Sequence, residues 1–273
     1  MIVSRFAPSP TGRLHLGHAY SAVLGYDRAD RFLVRIEDLD QGRSRPEFVD
    51  GIFEDLHWLG LDWDEPMLVQ SERSGAYDAA LEQLRDSGLV YPCFCTRADI
   101  AAALEAPHGA QPGYPGTCRG LRQIDFEKPH SWRLDAGKAI ARAGLPGWSE
   151  GERRFQSVRA DFDDIILARK DAPAAYHLAC VVDDAQSGVT FVTRAADLRP
   201  STPVQRLLQQ LLGLPEPTYL HHSIVAHDDG RRLAKRDLAP TLAAMRDSGV
   251  DGPSLAANLI AGELPLGFTR LDA

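Results

Sequence analysis

Apolar residues recur along the chain at two periods, and these periods divide it into strands and helices. A short apolar entry, Met1 to Val3, leads into Arg5. Pro8 and Pro10 then impose an extended turn, because each fixes its own φ and moves its predecessor out of the helical region. Beyond the turn, Leu16, Ala19, Tyr20, Val23 and Leu24 fall three and four apart, which predicts a helix opening at His15 and running to about Asp30. Phe32 to Ile36 reads as a buried strand that ends in the acids Glu37, Asp38 and Asp40. Residues 46–60 form a second amphipathic pattern, with Pro46 in its first turn and Gly60 at its C-terminal cap. After a short loop, a third helix runs from Gln70 to about Gly88 and turns Tyr77, Leu81 and Leu84 inward. Leu89 to Tyr91 is a short strand.

The pattern breaks over residues 92–131, where Gly109, Pro112, Gly113, Pro115 and Gly116 surround Cys93, Cys95, Tyr114 and Cys118. This stretch reads as an insertion between the halves of an α/β domain. Apolar alternation resumes at Trp132 to Leu134 and over residues 160–170. Residues 174–184 fit either a helix start or a strand, followed by a turn at Gly188. Val189 to Arg194 is a strand, 203–212 a helix, Tyr219 to Val225 another strand, and 241–259 a helical tail. No internal repeat or low-complexity segment interrupts this order. A strand, a helix and a second strand within the first forty residues begin a βαβ unit, in which ligands gather at the carboxyl ends of the strands.

Composition narrows the class. The chain has 273 residues, 44% of them hydrophobic and 25% charged, as in ordinary globular proteins. It has no apolar run long enough to span a membrane and no basic-then-apolar leader, so a cytoplasmic location is expected. A net charge of −8 argues against a broad basic face for long nucleic acids but leaves room for a small RNA contact. Three of the four cysteines cluster, which in a reducing compartment points to metal before disulfide. The alternative is that Cys93 and Cys95 are buried strand residues. Cys180 lies in an apolar run and reads as core.

Two stretches carry candidate chemistry. The first runs Arg5-Phe6-Ala7-Pro8-Ser9-Pro10-Thr11-Gly12-Arg13-Leu14-His15-Leu16-Gly17-His18. It ends in a helix N-terminus with two imidazoles and a glycine, a place where backbone N–H groups and the helix dipole suit phosphate. Taken alone, two histidines one turn apart serve structure as readily as chemistry. The acids after the second strand likewise either cap turns or grip an ammonium group. The second stretch, Asp228-Asp229-Gly230-Arg231-Arg232-Leu233-Ala234-Lys235-Arg236, is either an exposed basic turn or a loop whose lysine neutralises a transferring phosphoryl group.

Together these stretches resemble the class I aminoacyl-tRNA synthetases. Pro8-Ser-Pro-Thr-Gly through His15-Leu-Gly-His18 resembles the HIGH motif in its glutamate-specific form, and Arg232-Leu-Ala-Lys-Arg236 is similar to the KMSKS loop. Val34-Arg-Ile-Glu-Asp-Leu-Asp40 and Thr193-Arg-Ala-Ala-Asp-Leu198 extend the likeness over most of the chain. Only 37 residues follow Arg236, too few for an anticodon-binding domain. The chain therefore looks like the truncated glutamyl-Q tRNA(Asp) synthetase family.

The resemblance implies a Rossmann-like parallel sheet with an inserted zinc-bearing subdomain and a short helical tail. The implied divisions are 1–90 and 169–240 for the catalytic halves, 91–168 for the insertion and 241–273 for the tail. It implies ATP-dependent activation of L-glutamate without tRNA, then transfer to the queuosine base of tRNA(Asp). His15, His18 and Lys235 would be catalytic, and Gly17 and Arg232 would join them at ATP with Mg²⁺. Arg5, Ala7, Ser9, Glu37, Tyr176 and Arg194 would bind glutamate. Cys93, Cys95, Tyr114 and Cys118 would hold one structural zinc. A monomer is expected. Arg232 and Ala234 depart from the usual lysine and serine of the loop, which puts more of its work on Lys235. Two alternatives remain at this point: a catalytic core charging tRNA(Glu), and a non-catalytic binding protein on the same scaffold.

Overall fold

A computed structural model describes residues 1–105, 113–233 and 240–271. Its first part runs β1 (Val3–Phe6), α1 (Leu16–Asp27), β2 (Arg31–Ile36), α2 (Pro46–Trp58), β3 (Leu68–Val69) and α3 (Ser74–Asp86). The middle holds β4 (Val90–Cys93), α4 (Arg97–Glu105), β5 (Ser131–Leu134), α5 (Ala136–Ala143), β6 (Gly147–Glu150), β7 (Arg153–Gln156) and β8 (Ile166–Ala168). Then come α6 (Tyr176–Gln186), β9 (Phe191–Ala195), α7 (Thr202–Leu212), β10 (Thr218–His222) and β11 (Ile224–His227). The last are α8 (Leu242–Asp247), α9 (Gly252–Ile260) and β12 (Phe268–Leu271).

The strands β1, β2 and β3 pair in parallel, and so do β9, β10 and β6, with β7 antiparallel on the outer edge. β1 lies alongside β9, where the Thr190 N–H donates to the Val3 carbonyl at 2.9 Å. The two halves therefore meet at β1 and β9. Successive residues of a strand point to opposite faces. Phe6, Phe32 and Val34 join a core with α1, α2, α8 and α9. On the other face Arg5 and Arg35 reach Asp184 on α6. A second core fills the space among α3, α5, α6 and α7. β4, β5 and β8 form a separate antiparallel sheet that carries the cysteine-bearing segment.

Several expectations change at their edges. The first helix starts at Leu16, with His15 as its cap, and ends at Asp27. The third begins as a 3-10 turn, Gln70–Glu72, before α3 proper. The ambiguous residues 174–184 are helical in α6. The run 219–225 is two strands in different sheets, parted at Ser223. The tail holds two helices rather than one, and β12 follows them. The short elements α5, β3 and the β6–β7 hairpin gave no pattern long enough to read. Gly252 sets the angle of the tail: a Cβ there would stand 1.9 Å from the Trp58 carbonyl oxygen, so only glycine lets α9 approach α2. Among the described residues no helix is long and apolar enough to cross a membrane.

Candidate active site

A cleft of about 660 Å³ opens at the carboxyl ends of β1, β2, β9 and β10. It brings together Arg5, Ala7, Ser9, His15, Gly17, His18, Glu37, Tyr176, Arg194 and Arg232, which lie up to 227 positions apart in sequence. Lys235 lies outside the described residues.

At one end sits the N-terminus of α1. The His15 Nδ1 accepts the Gly17 N–H at 3.2 Å, and the His15 N–H donates to His18 Nδ1 at 3.1 Å. The two imidazoles thus form a reciprocal cap, with ring centroids 3.9 Å apart. An imidazole that accepts at Nδ1 carries its neutral-form proton on Nε2, so both rings are Nε2–H donors. Gly17 is part of the device, because a Cβ there would stand 3.1 Å from the His15 ring. Thr241, the cap of α8, bridges back to His15 and ties the tail to this end. His222 and Ser21 also line the cleft, with Ser21 Oγ 2.7 Å from His222 Nε2. Arg232 stands exposed on the rim, 3.7 Å from Asp197.

Arg5 and Arg194, two buried arginines that line the same cleft, differ in kind. Arg5 donates Nε to Asp184 at 3.0 Å and Nη1 to the Thr193 carbonyl at 3.3 Å. Arg35 donates to the same carboxylate at 2.5 Å and to Glu37 Oε1 at 3.1 Å. Burial opposes the charge on Asp184, but Arg35 and Arg5 overcome it and hold the carboxyl down at about 2. Arg194 is equally buried, yet its partners are neutral. Nη1 donates to Gln205 at 2.7 Å, Nη2 to Thr202 Oγ1 at 2.7 Å, and Nε to His221 Nε2 at 3.1 Å. Among the described residues it has no carboxylate partner. Burial and the nearby Arg194 press His221 down to about 4, so this ring is neutral at pH 7. Tyr176, first residue of α6, is half-buried beside the His177 ring, and desolvation raises its hydroxyl pKa.

Sequence reasoning missed Arg35, Asp184, Thr202, Gln205, His221 and Glu150, all of which support cleft residues. One signal was available: Asp183 and Asp184 sit inside the apolar run of α6, and buried acids need partners. Cys180 is core, as expected, but its Sγ also lies 3.3 Å from Glu37 Oε1.

Away from the cleft, the sulfurs of Cys93, Cys95 and Cys118 lie within 4.8 Å of one another and could hold a metal ion. Cys95 and Cys118 stand 3.5 Å apart, too far for a disulfide. The Tyr114 hydroxyl joins them at 3.3 Å from Cys93 Sγ and 3.5 Å from Cys95 Sγ. Its ring is fixed by the Arg133 guanidinium 3.8 Å above it, and its N–H donates to Asp163 at 2.8 Å.

Residues 1–269 match the family described as tRNA synthetases class I (E and Q), catalytic domain. A glutamyl-Q tRNA(Asp) synthetase of Rhodobacter capsulatus is 44% identical over 266 residues, covering 91% of this chain and 96% of that protein. Its namesake in Nocardia farcinica is 46% identical, covering 90% and 79%. Among solved structures, a glutamate tRNA ligase from Elizabethkingia meningosepticum, in complex with its amino acid, matches with a TM-score of 0.78 at 26% identity. That match covers 95% of this chain but 60% of the ligase, so the chain spans less than two thirds of that structure's length. With its α/β fold, its paired histidines at the helix mouth and this match over nearly its whole length, the chain belongs to the class I aminoacyl-tRNA synthetases of the glutamate and glutamine branch, a family of ligases.

Proposed function

We propose that this chain activates L-glutamate with ATP, without requiring tRNA, and then transfers the glutamyl group to the queuosine base at the wobble position of tRNA(Asp). The observation that carries the amino-acid half is Arg194: a buried guanidinium, held by neutral groups, in a cleft that Glu37 also lines. A substrate carboxylate supplies the missing counter-charge, and Glu37 accepts the ammonium. Arg5, Ala7, Ser9 and Tyr176 line the same cleft. The names of the 44% and 46% identical relatives support queuosine-bearing tRNA(Asp) as acceptor.

In the first step a glutamate carboxylate oxygen attacks the α-phosphorus of ATP. A new P–O bond forms, the bond to the bridging oxygen breaks, and pyrophosphate leaves with that electron pair. The chain's part is alignment and neutralisation of charge. His15 and His18 donate Nε2–H to phosphate oxygens, Gly17 admits the nucleotide close to the backbone, and Lys235 and Arg232 supply the positive charge that neutralises the leaving group. Mg²⁺ carried in with ATP would add positive charge at the phosphates.

The same reading makes Cys93, Cys95, Cys118 and Tyr114 a structural zinc site. Tetrahedral zinc with bonds of about 2.3 Å to sulfur and 2.0 Å to oxygen sets ligand edges of about 3.5–3.8 Å. Three of the edges, Cys93 to Tyr114 at 3.3 Å and Cys95 to Tyr114 and to Cys118 at 3.5 Å each, come close to that cage, and the three sulfurs all lie within 4.8 Å of one another. Burial pushes Cys95 up to about 11, so metal binding there would release protons. Within the proposed spans 1–90, 91–168, 169–240 and 241–273, strand β6 of the second pairs with β10 of the third, so they share a sheet.

The test is a charging assay with labelled glutamate and ATP, offering tRNA(Asp) with queuosine, tRNA(Asp) without it, and tRNA(Glu). Label is expected only on the first. Label confined to tRNA(Glu) would overturn the acceptor. No glutamate-dependent pyrophosphate exchange by folded protein would mark a binding module instead.

A further inference from the structure

We infer that His221 is a positioning residue for glutamate: held in one tautomer by Glu150, it supplies the neutral acceptor that orients the Arg194 guanidinium toward the substrate carboxylate. The inference rests on the functional reading above and names a part of that site which neither sequence motif contains.

The geometry fixes the direction of each hydrogen bond. Glu150, at the end of β6, can only accept when ionised. Its Oε1 receives the Trp148 indole N–H at 2.8 Å and the Arg199 Nε–H at 3.1 Å, which stabilise the anion against its partial burial. The same oxygen lies 2.9 Å from His221 Nδ1. A carboxylate there places the imidazole proton on Nδ1. Nε2 is then a lone pair, and it faces the Arg194 Nε–H at 3.1 Å and the Thr202 hydroxyl at 3.1 Å. Thr202 Oγ1 in turn accepts from Arg194 Nη2 at 2.7 Å. The ring is stacked on Tyr219, with centroids 5.9 Å apart and planes within 4°.

Three elements thus converge on one guanidinium: β10 through His221, α7 through Thr202 and Gln205, and β9 through Arg194 itself. The other tautomer would set Nε2–H against Nε–H and turn the fork away. A carboxylate at the position of His221 would neutralise Arg194, as Asp184 does Arg5, and weaken its pull on a substrate anion. A neutral acceptor aims the cation without cancelling it, and the compensating acid is kept one residue back. This arrangement bears on selectivity, because a fixed, uncancelled guanidinium favours a carboxylate over the isosteric carboxamide of glutamine.

The experiment compares His221→Asn with His221→Gln in glutamate-dependent ATP–pyrophosphate exchange. Asn keeps a donor near Nδ1 for Glu150 but withdraws the acceptor from Arg194. Gln places an amide oxygen near the Nε2 position. His221→Asn is expected to raise KM for glutamate about tenfold, the loss of one hydrogen bond to a charged group, with kcat and KM for ATP unchanged. Glutamine should become a correspondingly better competitor. His221→Gln should recover most of the KM. An equal fall in kcat for both variants, with KM for glutamate unmoved, would reduce His221 to a structural residue and overturn the inference. Wild-type protein that shows no exchange with glutamate overturns the functional reading and this inference with it. An active wild type matched by His221→Asn overturns the inference alone.

Discussion

Asp184 is the point at which the charges of Arg5 and Arg35 are balanced, and replacing it by asparagine tests that balance. The carboxylate, Arg5 and Arg35 are each less than a tenth exposed. Asp184 accepts from Arg5 Nε at 3.0 Å, from Arg35 Nη1 at 2.5 Å and, at a longer 3.5 Å, from Arg5 Nη2. Asparagine keeps the shape and one acceptor but removes the charge that two buried guanidiniums share. Glu37 then faces Arg35 at 3.1 Å as the remaining acid. Removing one partner of a buried ion pair costs about 3–5 kcal/mol, since the other charge is left uncompensated. Arg194→Met is the control. It deletes a buried cation whose partners are neutral, so its cost should be about 1–2 kcal/mol, from acceptors left without a donor.

Urea unfolding at neutral pH, followed by tryptophan fluorescence from the 4 tryptophans, measures both. The pH dependence supplies a second reading. Asp184 is held at about 2 in the folded chain against an ordinary 3.8. Its contribution is therefore fully present above the unfolded value and is lost as pH falls from 3.8 through about 2. The wild type should weaken along this limb and Asp184→Asn should show less of it. Stability of Asp184→Asn within about 1 kcal/mol of wild type, with the acid limb unchanged, would refute the charge-balance argument.

Other outcomes follow from the same geometry. In pyrophosphate exchange, Arg194→Met should raise KM for glutamate by about two orders of magnitude while leaving KM for ATP alone, because a desolvated charge pair with substrate is lost. Lys235→Ala should lower the exchange rate by about two to three orders of magnitude with little change in glutamate KM, as removal of a donor to developing charge does. Elemental analysis of purified protein should find about one zinc per chain, and Cys95→Ser should lose it together with thermal stability. Metal-free wild type of unchanged melting temperature would count against a structural metal.

The residues of the first motif stretch were legible because their chemistry is local. A proline turn, a glycine and two histidines fall within fourteen positions, and the helix that follows announces itself by spacing. What sequence hid is long-range pairing. Arg5 reads as an ideal carboxylate fork until Asp184, 179 residues away, is seen to occupy two of its donors. Arg35 reads as one cation in a buried strand, and nothing local shows that it bridges Asp184 and Glu37. Glu150 and His221 are 71 residues apart, and the hairpin bearing Glu150 has strands of four residues, too short for periodicity to register. Tyr219 to Val225 reads as one strand because both its halves are apolar, yet the chain leaves one sheet for another at Ser223.

On the proposed function, the unequal treatment of the two arginines would also decide which carboxylate of glutamate reacts. The substrate brings one ammonium and two carboxylates, and activation at the α-carboxylate gives the α-glutamyl group whereas activation at the side chain would give the γ-glutamyl isomer. A carboxylate held on the fork of an uncancelled guanidinium has its lone pairs committed and is a poor nucleophile. Arg194 is such a fork, so the side-chain carboxylate belongs there. The ammonium belongs at Glu37, where Arg35 and Cys180 both engage Oε1 and so turn Oε2 to other use. With both ends of the substrate held, its α-carboxylate is left beside Arg5, whose charge Asp184 already balances. That group is oriented there without being quenched, in the cleft that His15 and His18 also line. Were the two arginines exchanged in character, with the acid behind Arg194 and none behind Arg5, the same residues would grip the reacting oxygen and release the recognised one.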